Sequence, residues 1–313
     1  MSIIDKSTAK AKEEEGGSLV ERASGKISDA SANDQPTTPK KAEAAPKIKA
    51  KARKATPTPT PSNDTGSRHS KRAVIDLERL RAANILTPDS DPGQTFEEFR
   101  IVKRQLLNNA FATGDKAIKN GNLMLVTSAE PGEGKTFCAI NLAMSIASEQ
   151  DLTVLLVDAD VSKPDVLSSL GVQGGKGLMD IIADESVDVA DCLLKTNIEN
   201  LTLLPAGRAH KLSTELMASE RMGRFVKEIA QRYPDRVIIF DSAPALASSV
   251  PGVLAMHVGQ VLFIVEAERT RESQAKEALS MLSSCKHISL LLNKARFTSG
   301  IKRFGSYEGY GYP

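Results

Sequence analysis

The residues Ala129-Glu130-Pro131-Gly132-Glu133-Gly134-Lys135-Thr136 follow directly on the apolar run Leu123 to Thr127. This is a P-loop pattern with alanine in its first position. Glycines there let successive backbone N–H groups curl around phosphate oxygens, and the helix that follows aims its positive end at them. Lys135 is placed to reach the β- and γ-phosphates of ATP, and the Thr136 hydroxyl to ligate Mg²⁺. A chance Gly-Lys-Thr would sit in an irregular loop. Here the pattern has a strand before it and a helix after it.

Three carboxylates end other apolar runs. Val154-Leu155-Leu156-Val157 leads into Asp158 and Asp160, and Val237-Ile238-Ile239-Phe240 leads into Asp241. Asp241 takes the Walker B position, where a carboxylate holds Mg²⁺ directly or through water. One strand-ending Asp is often only a turn former or cap, but three in a phosphate-binding fold argue for chemistry. In extended chain, residues i and i+2 point the same way. Asp158 and Asp160 can then both face the γ-phosphate, one holding metal and water and the other positioning a nucleophile. A tyrosine hydroxyl has a pKa of about 10, so a carboxylate that takes its proton assists transfer.

The elements that position these groups are legible as short apolar runs at 123–127, 152–157, 201–204, 237–240, 261–265 and 288–292. Runs of this length, bounded by turn residues, describe strands buried on both faces of a parallel sheet. Helices are predicted near 135–149, 177–184, 213–232 and 271–284. A further amphipathic helix is predicted over 95–109, with Phe96, Phe99, Val102, Leu106 and Leu107 on one face, after a short amphipathic stretch at 73–88. The fold class is α/β: a doubly wound, mainly parallel sheet of the P-loop NTPase kind, with ligands beyond the carboxyl ends of the strands. Asn293, at the end of the last strand, contacts the adenine or caps a turn.

Four segments are expected: a disordered, basic, Pro-rich tail over 1–72, a helical docking and oligomerisation segment over 73–120, a P-loop domain over 121–298, and a flexible tail over 299–313. The first lacks the apolar side chains that offset ordering entropy, and Thr56-Pro57-Thr58-Pro59-Thr60-Pro61 favours an extended linker. Its basic cluster, Lys40 to Lys54, reads as a solvated tail or a weak contact with an anionic membrane leaflet. No aromatic residues interleave with the charge and the net charge of the chain is only +2, so nucleic acid is not expected. Cys138, Cys192 and Cys285 form no Cys-x-x-Cys pair, which points to a reducing compartment and away from an iron–sulfur site. The histidines show no ligand spacing. With no signal peptide and no apolar run of about 18 residues, a cytoplasmic protein is expected, at the membrane only through a partner or the basic tail.

Of four tyrosines, three (Tyr307, Tyr310 and Tyr312) stand among glycines near the end of the sequence. Such a segment neither forms a stable helix nor buries its aromatics, and it can enter an active site as phosphoacceptor, in cis or from a neighbour. Each phosphoryl group adds about −1.5 to −2 charges, enough to drive the tail out of an anionic site and to loosen subunit contacts.

Together these segments resemble the bacterial tyrosine kinases (BY-kinases), most nearly the branch associated with exosortase-type exopolysaccharide loci, over about residues 73 to 313. The likeness rests on Ala129 to Thr136 (Walker A), Leu155 to Asp160 (Walker A′), Ile238-Ile239-Phe240-Asp241-Ser242-Ala243-Pro244 (Walker B) and the tyrosine-bearing tail. Gly177 to Ile182 and Thr214 to Met222 also look like family segments. The resemblance implies a ParA/MinD-like P-loop branch and a protein-tyrosine autokinase that uses ATP and Mg²⁺. It implies nucleotide contacts from Glu130, Pro131, Gly132, Glu133, Gly134, Lys135, Thr136, Phe137 and Asn293. Asp158 would be the base or nucleophile-orienting group, and Thr136, Asp160 and Asp241 would hold the metal. The family's Glu-x-x-Arg-x-x-Arg helix pattern, used in ring-shaped homo-oligomers, falls on Glu97, Arg100 and Lys103, the last lacking arginine's bidentate fork. Where the family carries arginine two residues after the second Walker A′ aspartate, this chain has Ser162, followed by Lys163. The implied partner is a transmembrane polysaccharide co-polymerase that activates the kinase.

Two other readings remain open at this stage. A ParA- or MinD-type partitioning ATPase would carry a lysine where Glu130 stands and, in MinD, an amphipathic membrane helix. A nucleotide-dependent scaffold of the polysaccharide machinery, without phosphotransfer, is favoured only by Ser162.

Overall fold

The computed structural model describes residues 3–5, 71–91, 93–232 and 235–296. The basic cluster and the tyrosines Tyr307, Tyr310 and Tyr312 lie outside the described residues. In chain order the strands are β1 (Ile3–Asp5), β2 (Lys71–Ala73), β3 (Leu123–Ser128), β4 (Thr153–Asp158), β5 (Leu194–Thr196), β6 (Leu201–Leu204), β7 (Arg236–Asp241), β8 (Gln260–Glu266) and β9 (Ile288–Asn293). The helices are α1 (Leu77–Ala82), α2 (Gln94–Ala110), α3 (Lys135–Ala147), α4 (Val166–Ser169), α5 (Leu178–Ala183), α6 (Val189–Cys192), α7 (Ser213–Met217), α8 (Glu220–Arg232), α9 (Val250–Ala255) and α10 (Glu272–Met281).

The strands form one sheet in the order β1-β9-β8-β3-β7-β4-β6-β5-β2. The six strands from β9 to β6 are mutually parallel and correspond to the six predicted apolar runs. β3, β4 and β7 are buried almost throughout, because helices cover both faces. The short strands β1, β2 and β5 were not predicted. Each is three residues long and carries no apolar run, and tertiary pairing alone makes it a strand. β1 pairs antiparallel with β9, β5 antiparallel with β6, and β2 parallel with β5.

The strand order explains how the site is assembled. The chain crosses from β3 through α3 to β4, then returns to insert β7 between them. The loop after β3 and the carboxyl ends of β4 and β7 therefore meet at one edge, at the place where the winding reverses.

One core layer lies under α2 and α3. Phe99, Val102 and Leu106 recur at helical spacing and bury against α3, whose residues from Cys138 to Ala147 are all buried. The stretch after β2 joins the same layer through Leu80, Ile85 and Leu86, and Asp76 caps α1 by accepting from the Glu78 and Arg79 N–H groups. The opposite layer is built by α5, α8, α9 and α10, with Met222, Phe225, Val226 and Ile229 on the inner face of α8.

The single helix predicted over 213–232 is two helices. Ser219 breaks it: its hydroxyl donates to the Leu216 carbonyl at 2.7 Å and accepts from the Met222 N–H at 3.3 Å, ending α7 and opening α8. Helix α9 was also missed, since its six residues begin with Val250-Pro251-Gly252 and give no periodic signal. Among the described residues no helix is long and apolar enough to cross a membrane.

Candidate active site

The P-loop leaves β3 and ends at the first turn of α3. Gly134 is the N-cap of α3 with φ at +94°, and Gly132 has φ at +85°, backbone that L side chains rarely adopt. A Cβ on Gly134 would also lie 2.2 Å from the Asn293 Nδ2 atom. Glycine is required there twice over. The start of the loop is pinned to the segment after β7, whose Ala245 and Leu246 N–H groups donate to the Ser128 and Ala129 carbonyls.

Lys135 turns toward the acids. Its ammonium pairs with Asp160 Oδ2 at 3.1 Å. The other Asp160 oxygen accepts from the Ser162 hydroxyl at 2.7 Å and the Lys163 N–H at 3.0 Å. Asp158 and Asp241 are register partners on β4 and β7, and both are buried. Asp158 Oδ2 accepts from the Val166 N–H at 3.2 Å, while Asp158 Oδ1 and both oxygens of Asp241 have no hydrogen-bond partner among the described residues.

Burial pushes the Asp158 carboxyl up to about 7. The Val166 hydrogen bond works against that rise, Asp160 adds to it, and Lys135 opposes it. Burial likewise raises Asp241 to about 7, against the Lys135 charge and the nearby Thr136 hydroxyl and with the help of Asp158 and Asp160. The two buried Asp241 oxygens without partners among the described residues, beside a cation and a glycine-built anion cradle, are what a hydrated divalent cation carried with a polyphosphate requires. The residues present fit Mg²⁺.

The AAA domain family profile matches residues 122–289, more than half of the chain. Tyrosine-protein kinase Wzc of Salmonella typhimurium is 27% identical over 246 residues, covering 79% of this chain and 32% of Wzc. Tyrosine-protein kinase YwqD of Bacillus subtilis is 28% identical over 228 residues, covering 73% of this chain and 91% of YwqD. The chain belongs to the AAA domain family, among the bacterial tyrosine kinases. The chimerical protein CapA2B2 shares its fold, with a TM-score of 0.58 at 21% identity over 72% of this chain and 95% of that one. The chain thus matches about a third of the length of Wzc and nearly all of YwqD.

A set of groups around the P-loop has no local signal in the sequence; it is contributed by the turn after β8, the start of α10 and the end of β9. The buried Glu133 carboxylate accepts from the Glu130 N–H at 2.8 Å and from the Thr270 hydroxyl. The Gln274 amide donates to Glu130 Oε1 at 3.0 Å. Asn293 Nδ2 donates to the Glu133 carbonyl at 2.8 Å, Lys294 Nζ to the Gly132 carbonyl at 2.7 Å, and Arg269 Nη2 to the Pro131 carbonyl at 3.5 Å. Glu266 joins the two cations, with Lys294 at 3.2 Å and Arg269 at 3.0 Å. Thr270, Gln274, Arg269 and Lys294 lie about 140–160 residues from the loop they touch. Only the sheet order, which sets β8 beside β3, brings them there.

Other predicted site residues make contacts within the chain itself. Glu130 and Glu133 work as braces inside the loop. The amide of Asn293 is engaged by the loop backbone through Nδ2. The partly buried Phe137 ring packs edge-on against Phe99 of α2 at 6.4 Å between centroids. Lys103, expected at a subunit contact, is instead buried inside the chain: its ammonium donates to the Ser145 carbonyl at 3.0 Å and pairs with Glu149 at 2.5 Å. The last carbonyls of α3 lack intrahelical partners and attract a cation, and position 103 lies on the inner face of α2. Glu97 and Arg100 remain accessible, paired with each other at 3.2 Å, and Arg104 is exposed one turn beyond Arg100.

Proposed function

We propose that this chain is an ATP-dependent protein-tyrosine autokinase that phosphorylates Tyr307, Tyr310 and Tyr312, with Asp158 as the proton acceptor. The carrying observation is the buried, partnerless Asp158 Oδ1, held beside Asp160 and Lys135 at the open edge of the sheet. In the proposed step the tyrosine O–H proton passes to Asp158 Oδ1. The phenolic oxygen bonds to the γ-phosphorus while the bond from that phosphorus to the β–γ bridging oxygen breaks. ADP departs with its new charge opposite Lys135, and Asp158 then returns its proton to water. A carboxyl whose pKa stands near neutral suits this exchange.

Bound Mg²⁺ would neutralise charge across the β- and γ-phosphates, and Thr136, Asp160 and Asp241 are the residues to hold it. Phosphate arriving in the cradle draws Lys135 away from Asp160 and frees that carboxylate for the metal side of the site.

Likeness to the bacterial tyrosine kinases supports a role in exopolysaccharide synthesis and export, with a transmembrane co-polymerase as activating partner. The kinase would then be cytoplasmic and held at the inner membrane through that partner. Glu97 and Arg100 would face a neighbouring subunit in a homo-oligomeric ring, with Arg104 in the place expected of Lys103. The test is incubation with ATP and Mg²⁺ followed by peptide mass spectrometry beside Lys135→Ala and Asp158→Asn. Phosphotyrosine over 307–312 in the parent and none in either variant supports the reading. ATP hydrolysis without tyrosine modification would leave a nucleotide-dependent scaffold.

A further inference from the structure

Three consecutive peptide units of the P-loop have their carbonyl oxygens held from outside the loop. Pro131 C=O accepts from Arg269, Gly132 C=O from Lys294, and Glu133 C=O from Asn293. In a trans peptide the N–H points opposite to the C=O, and the described residues contain no cis bond. Fixing those three carbonyls therefore turns the N–H groups of Gly132, Glu133 and Gly134 to the other side of the loop as a set. That is the concave arrangement of donors that binds phosphate.

The backbone beside these residues is under strain of a telling kind. Among the described residues five non-glycine residues have positive φ: Asn84, Asn120, Asn200, Glu268 and Lys294. Asparagine tolerates the left-handed region, whereas glutamate and lysine are rare in it. The two that are not asparagine are Lys294 itself and the residue before Arg269. Strain of this sort persists where surrounding contacts over-determine the conformation, and it clusters at functional sites.

We infer that Arg269, Lys294 and Asn293 form a carbonyl clamp, buttressed by Glu266, which presets the P-loop N–H groups for the nucleotide's diphosphate. These are positioning residues: they act on phosphate through the loop backbone. The inference rests on the reading of this loop as the nucleotide site. A preset donor array removes the ordering cost that a slack loop would incur on binding. The array belongs to the part of the loop that cradles the α- and β-phosphates, so ADP and ATP depend on it alike.

The experiment measures dissociation constants of fluorescently labelled ADP and ATP, with Mg²⁺, for the parent and for Lys294→Met, Lys294→Arg and Glu266→Gln, each checked for an unchanged melting profile. Lys294→Met is expected to weaken both nucleotides about tenfold and equally, and Lys294→Arg to recover most of that loss. Glu266→Gln discriminates most sharply. If the cations acted directly on phosphate, deleting a neighbouring negative charge would tighten binding. In the clamp it loosens both cations and weakens binding several-fold. Tighter binding by Glu266→Gln, a loss confined to ATP, or an unchanged Lys294→Met would each overturn the clamp. A parent that binds neither nucleotide would instead overturn the reading of the site.

Discussion

Asp158 and Asp241 stand opposite each other in register on the neighbouring parallel strands β4 and β7, and the N–H of Ala159 donates to the Asp241 carbonyl at 2.7 Å. Adjacent strands run about 4.8 Å apart, so two carboxyl groups are held close together in a nearly water-free layer. Burial raises the pKa of both, and the Asp158 charge adds to the rise of Asp241. Without a cation this arrangement opposes folding, and its consequences can be measured.

Stability of the nucleotide-free protein should fall as pH rises. The folded Asp241 pKa of about 7 lies above the value of 3.8 for an unperturbed aspartate. The folded state therefore holds its proton more tightly than the unfolded chain does, a contribution complete below about pH 4 and lost progressively as pH rises through 7. Asp241→Asn removes the titration. It should melt above the parent at about pH 8, by a margin that shrinks by on the order of 2 kcal/mol toward pH 5. Parallel loss of stability in parent and variant across that range would refute the assignment.

Lys103 gives a second prediction, separating packing from association. Lys103→Met should destabilise the chain by about 1–2 kcal/mol, the worth of its bonds to Ser145 and Glu149, and leave its oligomeric state alone. Arg100→Ala should do the reverse, reducing particle size in sedimentation with little change in melting temperature. A Lys103→Met protein that dissociates at unchanged stability would return Lys103 to the subunit surface.

Gly134→Ala should abolish nucleotide binding and lower stability by about 1–3 kcal/mol, because a Cβ there meets Asn293 in a left-handed backbone. Calorimetric titration with ADP checks it. Binding within a few-fold of the parent would mean that the loop can shift without harm.

Much of this architecture is legible before any coordinates. Buried parallel strands such as Val237 to Phe240 leave continuous apolar runs, and a P-loop between strand and helix has few alternative readings. What escapes is non-local. The three-residue strand Leu194–Thr196 exists because β6 lies beside it, and no local pattern announces that. Lys103 reads as a surface lysine because its position within the helical repeat does not reveal the carbonyl end of α3 beneath it. No local pattern sets Arg269 and Lys294 apart; the sheet order places them against Pro131 and Gly132. Asp158, by contrast, is legible through its strand-end position, although its raised pKa comes chiefly from the burial that the folded sheet imposes.

The most direct test of the central claim is the intact mass of purified protein after incubation with ATP and Mg²⁺, compared with Asp158→Asn, with fluorescent ADP binding measured on both. Successive phosphoryl additions are expected in the parent, located at Tyr307, Tyr310 and Tyr312. None is expected in Asp158→Asn, which should still bind nucleotide. Equal phosphorylation of the two proteins would contradict Asp158 as the proton acceptor, and a parent that hydrolyses ATP without gaining mass would contradict the autokinase itself.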